Sequence, residues 1–230
     1  GAMPESSYFT VYAYAFRSLY YAVRSQYSNA HVFICMDNLW NTSVAGGYSV
    51  KHSIASFVSH LGRVQKGLQW NLAYHAYSAP LTYTNFWDGY GITGDENSPY
   101  ITMKNLNVLT DYIRNHYGPS VRVILSEQGY SSNWGQANQA AAIAASYYIA
   151  ACNPMVDAFI IRSYLDHPVE VAQGLPMGIK DKEAFEVFRY MDTTATFQYT
   201  DRYLGLIRIT AWDQLVPGFS AKRLYTMYRR

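Results

Sequence analysis

The sequence predicts an α/β fold in which helices and parallel strands alternate along the chain. Three observations carry this. Short apolar runs rich in β-branched residues, such as Val121-Arg122-Val123-Ile124-Leu125, read as buried strands. Segments with helical apolar spacing separate those runs. Each strand then stops at polar or aromatic residues: Asp37-Asn38-Trp40, His75-Tyr77, Glu127-Tyr130, and Arg162-Tyr164-Asp166-His167. Alternation of this kind implies parallel strands joined by right-handed crossovers, so the four clusters converge at one edge.

The elements follow in order. Ser6 or Ser7 is expected to cap a first helix, with Phe9, Tyr12, Ala13, Phe16, Leu19, Tyr20 and Val23 at helical spacing. A strand over 31–36 ends at Asp37, and Gly46-Gly47 mark a loop. A helix over 50–64 places Ile54, Phe57, Val58 and Leu61 on one side. A second strand runs over 70–77 and stops at Pro80. The loop 81–99 is rich in Tyr, Gly, Asn and Asp. Ser98-Pro99 has the cap-then-proline order of a helix start, and Ile101, Leu106, Leu109 and Ile113 follow it before Gly118-Pro119 break the pattern. The third strand covers 121–126, a helix 136–152 and the fourth strand 158–164. Helices over 181–191 and near 200–210 complete the chain.

Composition bounds the function. With 230 residues and half of them hydrophobic, residues 4–230 make one domain with a real core. A net charge of +2 gives no footprint for nucleic acid or an anionic membrane, and no apolar stretch reaches transmembrane length. Gly1-Ala2-Met3 reads as a scar of tag cleavage and is set aside. No signal peptide follows; secretion or cell-surface display is an expectation for a full-length form only. Cys35 and Cys152 read as two buried free thiols, which leaves the redox compartment undetermined. The 23 tyrosines admit two readings, either sugar recognition by amphipathic rings or a habit of filling helix surfaces.

Glu127 is the residue of most interest. A carboxylate at the carboxyl end of a buried parallel strand lies where α/β barrels place their chemistry. Its plain alternative is a salt bridge or a helix cap. On strict alternation Glu127 shares a face with Val121, Val123 and Leu125. Four strands are half of what closes a (β/α)8 barrel, so about four βα units of a TIM-type barrel are expected.

Asn71-Leu72-Ala73-Tyr74-His75-Ala76-Tyr77, followed by Ser126-Glu127-Gln128-Gly129, resembles the sixth and seventh strands of retaining glycoside hydrolase barrels. More closely, the chain is similar to an uncharacterised group of bacterial glycosyl-hydrolase-like barrels. Asp37 to Asn41, Asn71 to Tyr77, Ser126 to Ser131 and Arg162 to Glu170 carry that likeness. The resemblance implies the carboxyl-terminal half of a barrel, from the fourth helix to the eighth. It implies Glu127 as the nucleophile, with His75 and Tyr77 bonded to it or to the adjoining sugar. Asn38, Trp40, Trp87 and Tyr130 are then expected to form the sugar-contacting wall. Arg162 is expected to hold a carboxylate, from Glu127 or from an acidic sugar.

The family's second carboxylate, an Asn-Glu at the fourth strand, is absent, leaving Asp37 and Asp166 as in-chain candidates for the proton donor. The expected partners are a carbohydrate substrate and either a second copy of the chain or an amino-terminal half barrel. No cofactor and no metal are expected. Asp95-Glu96 lacks the spacing of a calcium loop, and His75, His167 and Glu127 lack a helical His pair for zinc. Hydrolase activity, on a bacterial or plant glycan, is expected of the full-length form and not of this chain alone; the alternative to an enzyme is an inactive carbohydrate-binding or structural fragment. A barrel of other chemistry is disfavoured by the lack of a strand-end lysine and of clustered histidines.

Overall fold

The computed structural model describes residues 3–228. Four strands, β1 (Phe33–Met36), β2 (Asn71–Tyr74), β3 (Val123–Gln128) and β4 (Val156–Ile161), form one sheet in the order β1-β2-β3-β4. All three pairings are parallel, with Phe33 opposite Asn71, Leu72 opposite Val123 and Leu125 opposite Phe159. The crossovers run through α2 (Val50–Val64), α3 (Leu106–Tyr117) and α4 (Gln136–Cys152), while α1 (Glu5–Gln26) precedes the sheet and packs on α2. After β4 come α5 (Pro168–Ala172), α6 (Glu183–Tyr190), α7 (Thr196–Thr200), α8 (Leu204–Ile207) and α9 (Ala221–Tyr228).

The sheet buries one face. Ile34, Leu72, Tyr74, Val123 and Leu125 join helix residues in the main core, with Phe159 packed against it. The opposite face carries Phe33, Cys35, Ala73, Ile124, Ser126, Ala158 and Ile160, none of which belongs to that core. It is open to solvent at Cys35 and Ile160. Cys35 is therefore an exposed thiol rather than the buried one expected, because alternation puts it opposite Ile34. Cys152 is buried, and both cysteines are free.

Local chemistry explains the helix boundaries. The first helical bond of α1 runs from Tyr8 N to Pro4 O, and Pro4 occupies the cap position without a side-chain bond. Ser6 and Ser7 thus lie inside the first turn, not at the cap, and Glu5 supplies a negative charge there. Ser49 caps α2 by accepting from His52 N at 3.3 Å. Ser98 does not start α3. It donates to Tyr100 O at 2.6 Å and pins the preceding loop. Thr102 caps the 3-10 turn Met103–Asn105 that leads into α3, accepting from Lys104 N, while the Asn105 side chain accepts from Thr102 N at 2.8 Å; Asn105 then takes the cap position of α3 without a side-chain bond. α4 is buried on nearly every side, which its run of alanines permits.

Strand ends come earlier than the sequence suggests. β2 stops at Tyr74, so His75 and Tyr77 follow the strand. β4 stops at Ile161 and leaves Arg162 beyond it. The helix expected near 200–210 is instead two short pieces, α7 and α8, and the second ends at Arg208 in the left-handed region with φ 64. Short α5 and terminal α9 had no expectation. None of the described helices is long and apolar enough to cross a membrane.

The tyrosines divide between the two readings. Tyr8, Tyr14 and Tyr21 are exposed on α1, whereas Tyr74, Tyr130 and Tyr148 are fully buried. Tyr148 bonds Thr196 and Thr200 and packs edge-on against Trp212, tying α4 to the carboxyl-terminal helices. Burial pushes the hydroxyls of Tyr74, Tyr117 and Tyr130 above their ordinary range, and that of Tyr203 up to about 12. An unfolded tyrosine ionises near pH 10, about the ordinary value. These groups therefore stabilise the fold fully below that pH, and the contribution is lost as pH rises toward their folded values. In an alkaline titration, ultraviolet phenolate absorbance is expected to show an exposed class ionising first. A buried class ionises only together with loss of the circular-dichroism signal. Smooth ionisation of all tyrosines in a folded protein would contradict this.

Candidate active site

The carboxyl ends of the four strands meet at one cleft of about 670 Å³. Its lining includes Asp37 and Asn38 after β1, His75 and Tyr77 after β2, Glu127 of β3 and Arg162 after β4. Leu81, Tyr90 and Tyr100, from the loop after β2, complete the wall.

A bulge aims Glu127. Leu125 pairs with Phe159 and Gln128 with Ile161, so three steps on β3 match two on β4. Burial along β3 alternates through Leu125 and then breaks: Ser126 and Glu127 are both half-buried, and Gln128 is fully buried. Strict alternation would send Glu127 to the helix-covered face with Val123 and Leu125. The extra residue turns it out of that face and into the cleft, which corrects the face expected for it.

Glu127 Oε1 accepts hydrogen bonds from the Tyr77 hydroxyl at 2.7 Å and from Arg162 Nη1 at 3.1 Å. Arg162 also pairs with Glu170 of α5 through Nη2, so one guanidinium bridges two carboxylates. Burial, and then the Glu127 carboxylate, push the Tyr77 hydroxyl well above its ordinary value. Tyr77 is thus a neutral donor over the physiological range. The Tyr77 hydroxyl and the Glu127 carboxylate raise Arg162 further, which keeps it a cation. The side chains of Glu127 and Arg162 are 35% and 38% exposed, so both remain within reach of a ligand.

The neighbours hold this arrangement. Asn38 Nδ2 donates to Tyr77 O at 3.1 Å, which places Asn38 as a tie between the ends of β1 and β2. Asp37 Oδ1 accepts from Asn38 N at 2.7 Å. His75 Nε2 lies 3.4 Å from Cys35 Sγ on the open sheet face, so its contact is the thiol rather than Glu127. Partial desolvation by its neighbours, reinforced by the Glu127 and Asp37 charges, pushes the exposed Cys35 thiol above its ordinary value. Gly129 is required by close approach: a Cβ there would lie 2.2 Å from Arg162 O. Beside it, Arg162 N donates to Gln128 O at 2.7 Å.

Three residues expected on the sugar wall lie in the core instead. Trp40 is fully buried, donates from Nε1 to Glu96 O at 3.1 Å and packs edge-on against Tyr112. Its carbonyl accepts from Lys51 N at the start of α2, which draws the chain inward. Trp87 is buried in the turn Phe86–Asp88. Tyr130 stacks on Phe86 and bonds Ser146 of α4. Asp166 lies outside the cleft lining, accepting from Gly178 N and pairing with Lys182 at 2.8 Å. Glu170, Tyr90 and Tyr100 went unread. The only sequence signal for Glu170 was its place in the Arg162-to-Glu170 stretch, since a helix as short as α5 has no periodicity to detect. Among the described residues no three His, Cys, Asp or Glu side chains group to hold a metal ion.

Fold and site together define an α/β protein with a parallel sheet and a phenol–carboxylate–guanidinium cluster at its carboxyl edge. The chain belongs to the family of unknown function DUF5722, whose family model matches residues 1–215. No curated protein and no solved structure matches it.

A glycine pair tests the packing. Gly129→Ala forces its methyl onto Arg162 O and is expected to cost about 1–3 kcal/mol, as overpacking does. Gly62→Ala in α2 meets nothing within 4 Å. It is expected to stabilise the fold by up to about 1 kcal/mol through helix propensity. Thermal melts of the two variants should move in opposite directions; equal shifts would refute the assignment of Gly129 to a close-approach site.

Proposed function

We propose that this chain carries the nucleophile half of a retaining glycoside hydrolase site, with Glu127 as the nucleophile. The observation that supports it is the carboxylate at the carboxyl end of a parallel strand, held by Tyr77 and Arg162 at the cleft. Glu127 attacks the anomeric carbon and the leaving oxygen departs with a proton from a second carboxyl group. Water then cleaves the glycosyl ester with that second group acting as base. Arg162 holds Glu127 ionised, because a nearby cation favours the charged form. Tyr77 orients Oε1 for attack and follows the charge as the bond forms. Asp37, which lines the same cleft, is the in-chain candidate for the proton donor. Asn38 and His75 contribute polar walls.

On this reading the four βα units are the carboxyl-terminal half of a TIM-type barrel. The one-sided core and the unpaired outer edges of β1 and β4 support it. A second copy placed by a two-fold axis along the barrel keeps all strands parallel and pairs each β4 with the other β1. The runner-up is a carbohydrate-binding domain without catalysis. It is favoured by the lack of the hydrolase family's Asn-Glu acid/base, which leaves Asp37 as the one carboxylate beside Glu127 in the cleft lining.

Incubation with activated fluorosugars, followed by peptide mass spectrometry, should place one glycosyl group on Glu127. Glu127→Gln should lower kcat on aryl glycosides by about 10³-fold or more, as loss of a covalent nucleophile does. No turnover and no labelling across a panel of glycosides would leave the binding reading. Light scattering of the purified chain should give twice 26.2 kDa. A clean monomer would count against the self-closed barrel.

A further inference from the structure

Trp134 and Tyr90 offer the aromatic surface that Trp87 and Trp40 do not. Trp134 is 49% exposed and Tyr90 66% exposed, on separate loops at the carboxyl edge of the sheet. Half-buried Tyr83 stands between them, with ring centroids 4.8 Å from Trp134 and 5.8 Å from Tyr90. These spacings are of the order of one pyranose ring. Tyr90 also lines the cleft that holds Glu127, so the surface is continuous with the candidate site.

The surface is built rather than loose. Thr84 donates to Ser131 O at 2.6 Å, joining the loop after β2 to the loop after β3. Asn138 of α4 donates to Asn85 at 2.8 Å and ties the loop after β2 to that helix as well. Asn133 Nδ2 donates to Gly174 O at 2.9 Å and Ser132 N to Pro176 O at 3.0 Å, which fixes the turn Ser132–Trp134. Tyr83 donates to Asp88 Oδ2 at 2.9 Å, so its ring is held at both ends. Exposed aromatic faces normally cost solvation. Faces held rigid in this way lose little entropy when a ligand covers them. Polar groups flank the rings, including Asp88 and Asn133. A ligand with one apolar face and a rim of hydroxyls matches that pattern.

We propose that Trp134 and Tyr90, supported by Tyr83, form a distal sugar-binding ledge that takes a chain of pyranose units running out of the Glu127 cleft. The inference rests on the glycan reading of that cleft and makes the ligand an oligosaccharide rather than a single sugar. The occupant of the cleft reaches Tyr90, and only a longer chain reaches Trp134.

Tryptophan emission tests it directly. The other four tryptophans, Trp40, Trp70, Trp87 and Trp212, are all buried, so a soluble quencher such as acrylamide reads chiefly Trp134. The probes are cellohexaose, xylohexaose, mannohexaose and laminarihexaose with their disaccharides, added to the full chain carrying Glu127→Gln to prevent cleavage. At least one hexaose should shield Trp134 from quenching, and its disaccharide should not. Tyr90→Ala should weaken that hexaose about tenfold, the worth of a lost aromatic stack of about 1.4 kcal/mol. No shielding by any hexaose, equal shielding by disaccharides, or an unchanged affinity in Tyr90→Ala would overturn the ledge. Shielding without aryl-glycoside turnover by the unaltered chain would keep the ledge and sink the hydrolase. Turnover without shielding would do the reverse.

Discussion

The one-sided burial of the sheet governs the rest of the molecule. Ile34, Leu72, Tyr74, Val123 and Leu125 are committed to the helices, and the opposite residues remain outside the core. A parallel sheet needs crossovers, and α2, α3 and α4 pack on the face that carries the main core among the described residues. The polar strand ends then gather at one edge, outside the helix-covered core. Helix α4 sits at the centre of this layer. Its small side chains let it approach the sheet and α6 closely, and Tyr148 extends its reach to the short helices that follow.

At the edge, geometry rather than stability is what the charged groups supply. Pairs as exposed as Glu127 and Arg162 contribute at most about 1 kcal/mol to folding. Their value lies in direction. Arg162 is fixed by Glu170 on one side and by the close contact of its backbone with Gly129 on the other. Tyr77 is fixed by Asn38, which grips its carbonyl. Glu127 is therefore held by two donors that are themselves held, the condition a preorganised site requires.

Much of this fold was legible in the sequence because it rests on periodicity. The helices over 50–64 and 136–152 match their expected ranges, and the four strands occur in the expected order. Helix starts were less legible: α1 begins after Pro4 with no side-chain cap in place of Ser6, and a 3-10 turn capped by Thr102, rather than Ser98, leads into α3. At the site, Asp37, Asn38, His75, Tyr77, Glu127 and Arg162 come together as strand-end polarity implied. The aromatic residues divided differently. Trp40, Trp87 and Tyr130 are near the same strand ends in sequence, but large rings fill space wherever the backbone turns inward. Residue type cannot tell a ring that packs from one that faces water. Trp134 and Tyr90 lie on turns whose backbone leaves the ring in solvent, which is settled by tertiary packing and not by residue type.

The bulge in β3 makes the orientation of Glu127 a matter of residue counting. In a regular strand, a neighbour can change identity without changing which way the next side chain points. Here one residue more than the partner strand requires separates Leu125 from Gln128. Loss of Ser126 would restore plain alternation and put the preserved carboxylate directly after Leu125, on the open sheet face beside Ile124 and out of the bulged geometry that brings it to Tyr77 and Arg162. The segment should therefore tolerate many substitutions in its lineage and almost no insertions or deletions, a length constraint that residue identity alone does not display.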